Sequence, residues 1–258
     1  MESPKPYIFT DNNPNTMEDY AKSVRRLAKP AKRVDVVLDT DMFNEVDDQF
    51  ALAYLLQSEE KLNLKAICAA PFFNHHSESP KDGMEKSYDE IFKILRLLKR
   101  QEYENVVYKG ADDFLIERKE AIDSPAVREI IRLSENYDEE NPLYIIGIAA
   151  ATNIASALLL CPELKNRVFI VWLGGLGFDW HDNKSFNAGQ DVEAARVVLS
   201  SGAPVVLLPG RGVLDHFSTT GPKLRYWLQG KNAFCDYRKN RTGISDMQRR
   251  KMLEQTNF

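Results

Sequence analysis

Hydrophobic positions along this chain come in two rhythms. Short β-branched and aliphatic runs read as buried strands: Val34–Leu38, Leu64–Ala70, Val106–Tyr108, Leu143–Ile148, Phe169–Leu173 and Val205–Leu208. Between them lie stretches whose apolar residues recur at helical spacing. These are Gln49–Leu56, Tyr88–Arg100 with Ile91, Ile94, Leu95 and Leu98 on one face, Ala126–Glu135, Asn153–Leu160 and Val192–Ser200. Strand alternating with helix predicts βαβ units, and hence an α/β fold with a mostly parallel, doubly wound open sheet flanked by helices. Residues 1–32 break the rhythm. They are polar, with Asn12-Asn13-Pro14-Asn15 followed by a basic helix-like stretch over Met17–Ala28. We read 1–32 as an N-terminal arm wrapping the body, its Lys22, Arg25 and Arg26 as a solvated face, and 33–258 as one α/β domain.

Composition narrows the class. The 258 residues are 43% hydrophobic and 28% charged, as in a soluble globular protein of one large domain. A net charge of -4 disfavours a partner that is nucleic acid or an anionic membrane. No apolar run is long enough for a membrane span, and Met1–Pro6 lacks the apolar core of a secretory signal. Cys68, Cys161 and Cys235 are scattered and odd in number, as expected for reduced thiols in a cytoplasmic setting.

The candidate chemistry sits after the first strand, in Asp39-Thr40-Asp41-Met42-Phe43-Asn44-Glu45-Val46-Asp47-Asp48. Five acids fall within ten positions, in a strand-to-helix loop where open α/β sheets bind ligands. Aspartates also cap helices, which accounts for one or two of them, Asp47 as the cap and Asp48 in the first turn. It does not account for Asp39 and Asp41. Like charges this close repel, and a hard cation such as Ca²⁺ or Mg²⁺ would relieve the repulsion. The other loops past strand ends, Pro71–His76, Ala149–Asn153, Gly174–Asn187 and Pro209–His216, are rich in Asp, Asn, Thr and His. Such residues suit a polyhydroxylated ligand. Gly174-Gly175-Leu176-Gly177 lacks a Walker lysine and reads equally as a tight turn.

Four ordered segments give the chain its resemblance to a family. They are Asp39–Asp48, Ile67–Asn74 ending in asparagine, Ile146-Gly147-Ile148-Ala149-Ala150-Ala151-Thr152-Asn153-Ile154-Ala155, and Phe186-Asn187-Ala188-Gly189-Gln190-Asp191-Val192-Glu193-Ala194-Ala195. Together, over roughly residues 34–220, they resemble the inosine–uridine-preferring nucleoside hydrolases. The first resembles that family's DxDxGxDD loop, two residues longer and without its glycine.

The resemblance implies a Rossmann-like fold and a calcium-dependent hydrolase that cleaves the N-glycosidic bond of a ribonucleoside. It implies that Asp41 binds the metal and acts as base on the metal-bound water, that Asp48 is the main calcium ligand, and that Thr152 lends its backbone carbonyl. Asp47 would take the ribose 2′-hydroxyl, Asp39 would support the cluster, and Asn74 and Asn187 would bond the sugar or the water. For the leaving base the candidates are Trp180, His181, His75, His76 and His216. The family's members are commonly dimers or tetramers, so a homodimer or homotetramer is expected.

Two departures accompany the resemblance. Ser185, preceded by Lys184, stands where the family carries a glutamate contacting the sugar. The family's last calcium ligand, an aspartate far downstream, has no counterpart in context, with Asp236 and Asp246 as the substitutes on offer. The C-terminal part is therefore expected to be incomplete. The competing readings are a relative that binds a nucleoside or ribose without turnover, and a phosphatase of the haloacid dehalogenase type, whose nucleophile loop is also DxD after a strand. The latter expects Thr or Val where Phe43 stands.

Overall fold

The structure is a computed structural model and describes residues 17–182 and 184–241. Its strands are β1 Val34–Thr40, β2 Leu62–Ala69, β3 Val107–Lys109, β4 Leu143–Gly147, β5 Val168–Trp172 and β6 Val205–Leu207. All pairings are parallel, and the order across the sheet is β3-β2-β1-β4-β5-β6. The chain winds outward from β1 in one direction, then returns to β4 and winds outward in the other. β1 and β4 are therefore neighbours at the point where the order reverses, and a crevice opens beyond their carboxyl ends.

The helices are α1 Met17–Arg26, α2 Asp47–Gln57, α3 Pro80–Leu97, α4 Leu115–Arg118, α5 Pro125–Ser134, α6 Thr152–Leu160, α7 Phe186–Gln190, α8 Val192–Ser200, α9 Gly221–Leu228 and α10 Ala233–Arg241. Side-chain alternation along each strand splits the core in two. Val37, Ala66, Cys68, Ile145 and Ile170 point to one face, where α5, α6 and α8 pack. Val36, Leu38, Leu64, Ile67 and Ala69 point to the other, covered by α2, α3 and the start of α10. Both faces of the central strands are dry, which is why they read as continuous apolar runs in the sequence.

Element boundaries differ from the sequence reading in instructive ways. Helix α3 begins at Pro80 rather than Tyr88. Ser79 caps it by accepting from Asp82 N at 3.1 Å, with Pro80 in the first turn. The polar opening turn hid this start from the apolar periodicity. Gly83 is required there, because a Cβ would fall 2.1 Å from the Phe72 carbonyl oxygen. Asp47 does not cap α2. The N-cap is Val46, without a side-chain bond, and Asp47 and Asp48 both lie in the first turn. Helices α4, α7, α9 and α10 had no periodic signal of their own. Gly175, at φ 73°, does make the tight turn read after β5. Arg26 departs from the solvated face assigned to it: half-buried, it donates to the Lys165 carbonyl at 3.0 Å. The side chain of Lys22, residues 1–16 and Asp246 lie outside the described residues.

Two buried polar residues fasten the strand ends. Asn153 donates to Asp39 Oδ1 at 2.8 Å and to the Ala69 carbonyl at 3.3 Å, and accepts from Ala111 N at 2.8 Å. Asp191 accepts from Thr152 Oγ1, Leu115 N, Ile116 N and Ala194 N, so it joins α4, α6 and α8. Asn153→Leu leaves buried donors and acceptors unmatched on both sides. It is expected to cost about 3 kcal/mol of unfolding free energy. Urea denaturation checks this, and an unchanged midpoint would contradict the bridging role.

Candidate functional site

A cavity of about 220 Å³ opens at the carboxyl ends of β1, β4, β5 and β6. Its polar and charged lining is Asp41, Asn44, Glu45, Asp47, Asp48, Asn187, Lys184, Ser185 and Arg211, over an apolar base that includes Ile148 and Leu173. The acids come from the turn that leaves β1. That strand's backbone is held on both sides: Ala70 N donates to Thr40 O at 2.8 Å, and Ile148 N to Asp39 O at 2.9 Å. The turn therefore springs from the most constrained part of the sheet.

Three aspartates of this acidic segment are buried: Asp39, Asp41 and Asp48. Asp39 Oδ1 accepts from Asn153, whereas Asp39 Oδ2 is buried without a hydrogen-bond partner. Burial pushes the Asp39 carboxyl up to about 7. Asp48 accepts from Thr40 Oγ1, and its carboxyl is pushed well up by burial first and by the charges of Asp41 and Asp47 next. Asp41 Oδ2 accepts from Asn44 Nδ2 at 3.0 Å. Burial raises the Asp41 carboxyl too, with Asp47 and Glu45 adding to the effect against the Asn44 bond. Glu45 is raised by burial and by Asp47.

The loop is braced from beneath. Gln49 Nε2 donates to the Met42 carbonyl at 2.9 Å and to Glu90 Oε1 at 3.0 Å. Tyr237 of α10 donates to the same Glu90 oxygen at 2.8 Å. Helix α10 thus supports the acidic turn through α3.

Of the residues singled out in the sequence, Asp41, Asp47, Asp48 and Asn187 share the cavity wall. Asn187 spends its amide group on two backbone carbonyls, Ile148 and Leu173, each at 3.0 Å. Its Oδ1 is the atom left to accept from a ligand hydroxyl. Asn74 stands one residue back, donating to Asn44 Oδ1 at 2.7 Å. Thr152 is fully buried at the start of α6, bonded to Asp191, and is not a lining residue. Trp180 and His181 lie on the loop after β5, outside the wall. Trp180 packs 5.8 Å from the Arg211 guanidinium, and His181 Nε2 lies 3.3 Å from Asp182 Oδ2 with its ring in solvent. His75, His76 and His216 are exposed. Asp236 is exposed on α10, where it accepts from Gly230 N at 2.9 Å. Ser185 accepts from Gly175 N at 2.9 Å, fixing the loop after β5.

Asn44, Asn153, Asp191 and Arg211 were missed as contributors. Asn44, Asn153 and Asp191 stand inside the quoted segments, but their partners are up to 114 residues away in the chain. Asn44, Asn153 and Arg211 all fall in segments read as loops past strand ends, which was the one signal that could have found them.

The family description "Inosine-uridine preferring nucleoside hydrolase" matches residues 36–253. The chain belongs to this family. Pyrimidine-specific ribonucleoside hydrolase RihA of Escherichia coli O1:K1 is 28% identical over 195 residues, 67% of this chain and 58% of that protein. The chain thus spans less than two thirds of the length of such relatives. Among solved structures, a purine-preferring ribonucleoside hydrolase from Gardnerella vaginalis is 26% identical with a TM-score of 0.57, covering 78% of this chain and 69% of that one. A plant nucleoside hydrolase, PpNRh1, shares the fold with a TM-score of 0.62 at 21% identity, covering 82% and 70%. Both carry the parallel α/β architecture described above. The match leaves the haloacid dehalogenase reading without support.

Nucleoside hydrolases of this family are metal-dependent. Among the described residues no group of three or more His, Cys, Asp and Glu converges on one point. The donor chemistry nonetheless fits a hard cation. Asp41 and Asp48 are a buried pair of carboxylates facing the cavity, and Asp39 Oδ2 lacks a partner behind them. Among the described residues, no helix is long and apolar enough to cross a membrane.

Proposed function

We propose that this chain hydrolyses the N-glycosidic bond of a ribonucleoside with the help of Ca²⁺. The observation that carries this reading is the buried Asp41–Asp48 pair beside Asn187, facing one cavity at the reversal point of the sheet. Asp41 and Asp48 hold the cation, with Thr152 lending its carbonyl and Asp39 backing the pair. When bound, calcium acidifies water and orients ribose hydroxyls.

The chain's own residues do the rest. Asp41 takes a proton from the attacking water as the C1′–N bond breaks. Asp47 accepts from the ribose 2′-hydroxyl, Asn187 Oδ1 accepts from another sugar hydroxyl, and Asn74 holds Asn44 and through it Asp41. The acids stabilise the positive charge that develops on the sugar, as in other glycosyl transfers. The base departs toward the loop after β5, where Trp180 offers a stacking face and the solvent-exposed His181 ring a proton donor. A reduced, cytoplasmic setting and a homodimer or homotetramer complete this reading. Exposed Phe217, Tyr226 and Trp227 offer apolar area for such an assembly.

The test is release of reducing sugar from a panel of N-ribosides by the purified chain in millimolar calcium. Release that EDTA abolishes is the expected result. No release from any riboside, in a sample that binds calcium, would overturn the proposal.

A further inference from the structure

The cavity wall is of mixed sign. Asp41, Glu45, Asp47 and Asp48 make one side, and Lys184 and Arg211 are the cations among the lining residues. They belong to different loops, one after β5 and one after β6, which the sheet sets side by side. Neither neutralises the acids. Among the described residues no ion pair joins Lys184 or Arg211 to Asp41, Glu45, Asp47 or Asp48. The carboxylate near Lys184 is Asp182, at 3.9 Å and in a solvated pair. The Arg211 guanidinium lies over the Trp180 ring, 5.8 Å from its centre, a contact that uses none of its N–H donors. The loop is itself anchored, through Gly210 N to Gly175 O at 3.1 Å and Gly177 N to Arg211 O at 3.2 Å.

A neutral nucleoside has no group that calls for two cations. Resting on the N-ribohydrolase reading, we propose that the substrate carries a phosphate: a nucleoside 5′-monophosphate-type riboside, its sugar over the acids and its phosphate oxygens on Lys184 and Arg211. Arginine meets phosphate in a bidentate fork and lysine as a point charge. The step balances without a redox partner. Water's oxygen bonds to C1′ as the C1′–N bond breaks. One water proton goes to Asp41 and the other stays on the new anomeric hydroxyl. The base leaves with the bonding pair and takes up a proton from solvent, to which Asp41 then returns the one it accepted. The products are free base and ribose 5-phosphate, and the phosphate changes no bond.

The test is titration calorimetry of ribose and of ribose 5-phosphate into the calcium-loaded chain, with uridine and uridine 5′-monophosphate as hydrolysis substrates alongside. Ribose 5-phosphate should bind at least about tenfold more tightly than ribose, a preference that shrinks as salt rises. Lys184→Gln/Arg211→Gln should abolish the preference while ribose affinity stays as in wild type. Both side chains are on the rim, and a thermal melt equal to wild type checks folding. Single variants Lys184→Gln and Arg211→Gln serve if the double variant is unstable. Equal binding of the two sugars, or a preference that survives the substitutions, overturns the phosphate assignment. Release of base from uridine but not from the monophosphate also overturns it while leaving the hydrolase reading intact. Failure of that reading shows separately, as no sugar release from either riboside.

Discussion

Asp41→Asn is expected to lower kcat for riboside hydrolysis by about 10³-fold, the scale of losing a positioned general base. The fold should survive it. Asparagine is isosteric with aspartate, and its carbonyl oxygen can still accept from Asn44 Nδ2, the bond that Asp41 makes at 3.0 Å. The substitution also removes one of several crowded negative charges from a buried position. The melting temperature should therefore hold or rise while turnover disappears. Stopped assays of sugar release, with a melt on the same sample, check both halves. Wild-type turnover in the variant would remove Asp41 from the role of base.

Calcium is expected to stabilise the wild-type chain, and Asp48→Asn to abolish that stabilisation. A ligand that binds only the native state, at a hundred times its dissociation constant, adds about 2.7 kcal/mol. For a chain of this size that corresponds to a rise of roughly 5–10 °C in melting temperature. Asp48 is the carboxylate most exposed to like charge, with Asp41, Asp47 and Glu45 all acting on it. Neutralising it without metal should relieve that repulsion, so the metal-free variant should melt no lower than wild type. The Thr40 hydroxyl, which donates to Asp48, keeps an acceptor in the asparagine carbonyl. A calcium shift of unchanged size in Asp48→Asn would rule out its ligand role. A wild-type chain with no shift would argue against a calcium site altogether.

The strands were legible as short β-branched and aliphatic runs, plainest in β1 and β5, which are buried almost throughout, while the edge strands β3 and β6 are only partly covered. Val36-Val37-Leu38 and Phe169-Ile170-Val171 need no long-range information to read as strands. Helices with one wet face, such as the later part of α3, were equally plain. Where an element owes its shape to a cap or a neighbour, periodicity was silent. The first turns of α3 depend on Ser79, and α4 depends on backbone N–H groups bonded to Asp191, 75 and 76 residues away.

By itself the sequence determined the strand pattern, the parallel class of sheet and the crowding of acids after β1. These are local properties, set by side-chain polarity over a few neighbouring positions. Only the tertiary structure decided which distant residues share the cavity. It set Asn187 and Arg211 opposite the acids and left Thr152, Trp180 and His181 outside the wall. It also put Asn153 against Asp39, and Tyr237 behind Gln49 through Glu90. The physical reason is the strand order. Placing β4 beside β1 brings together loops more than a hundred residues apart, and no local pattern records that adjacency.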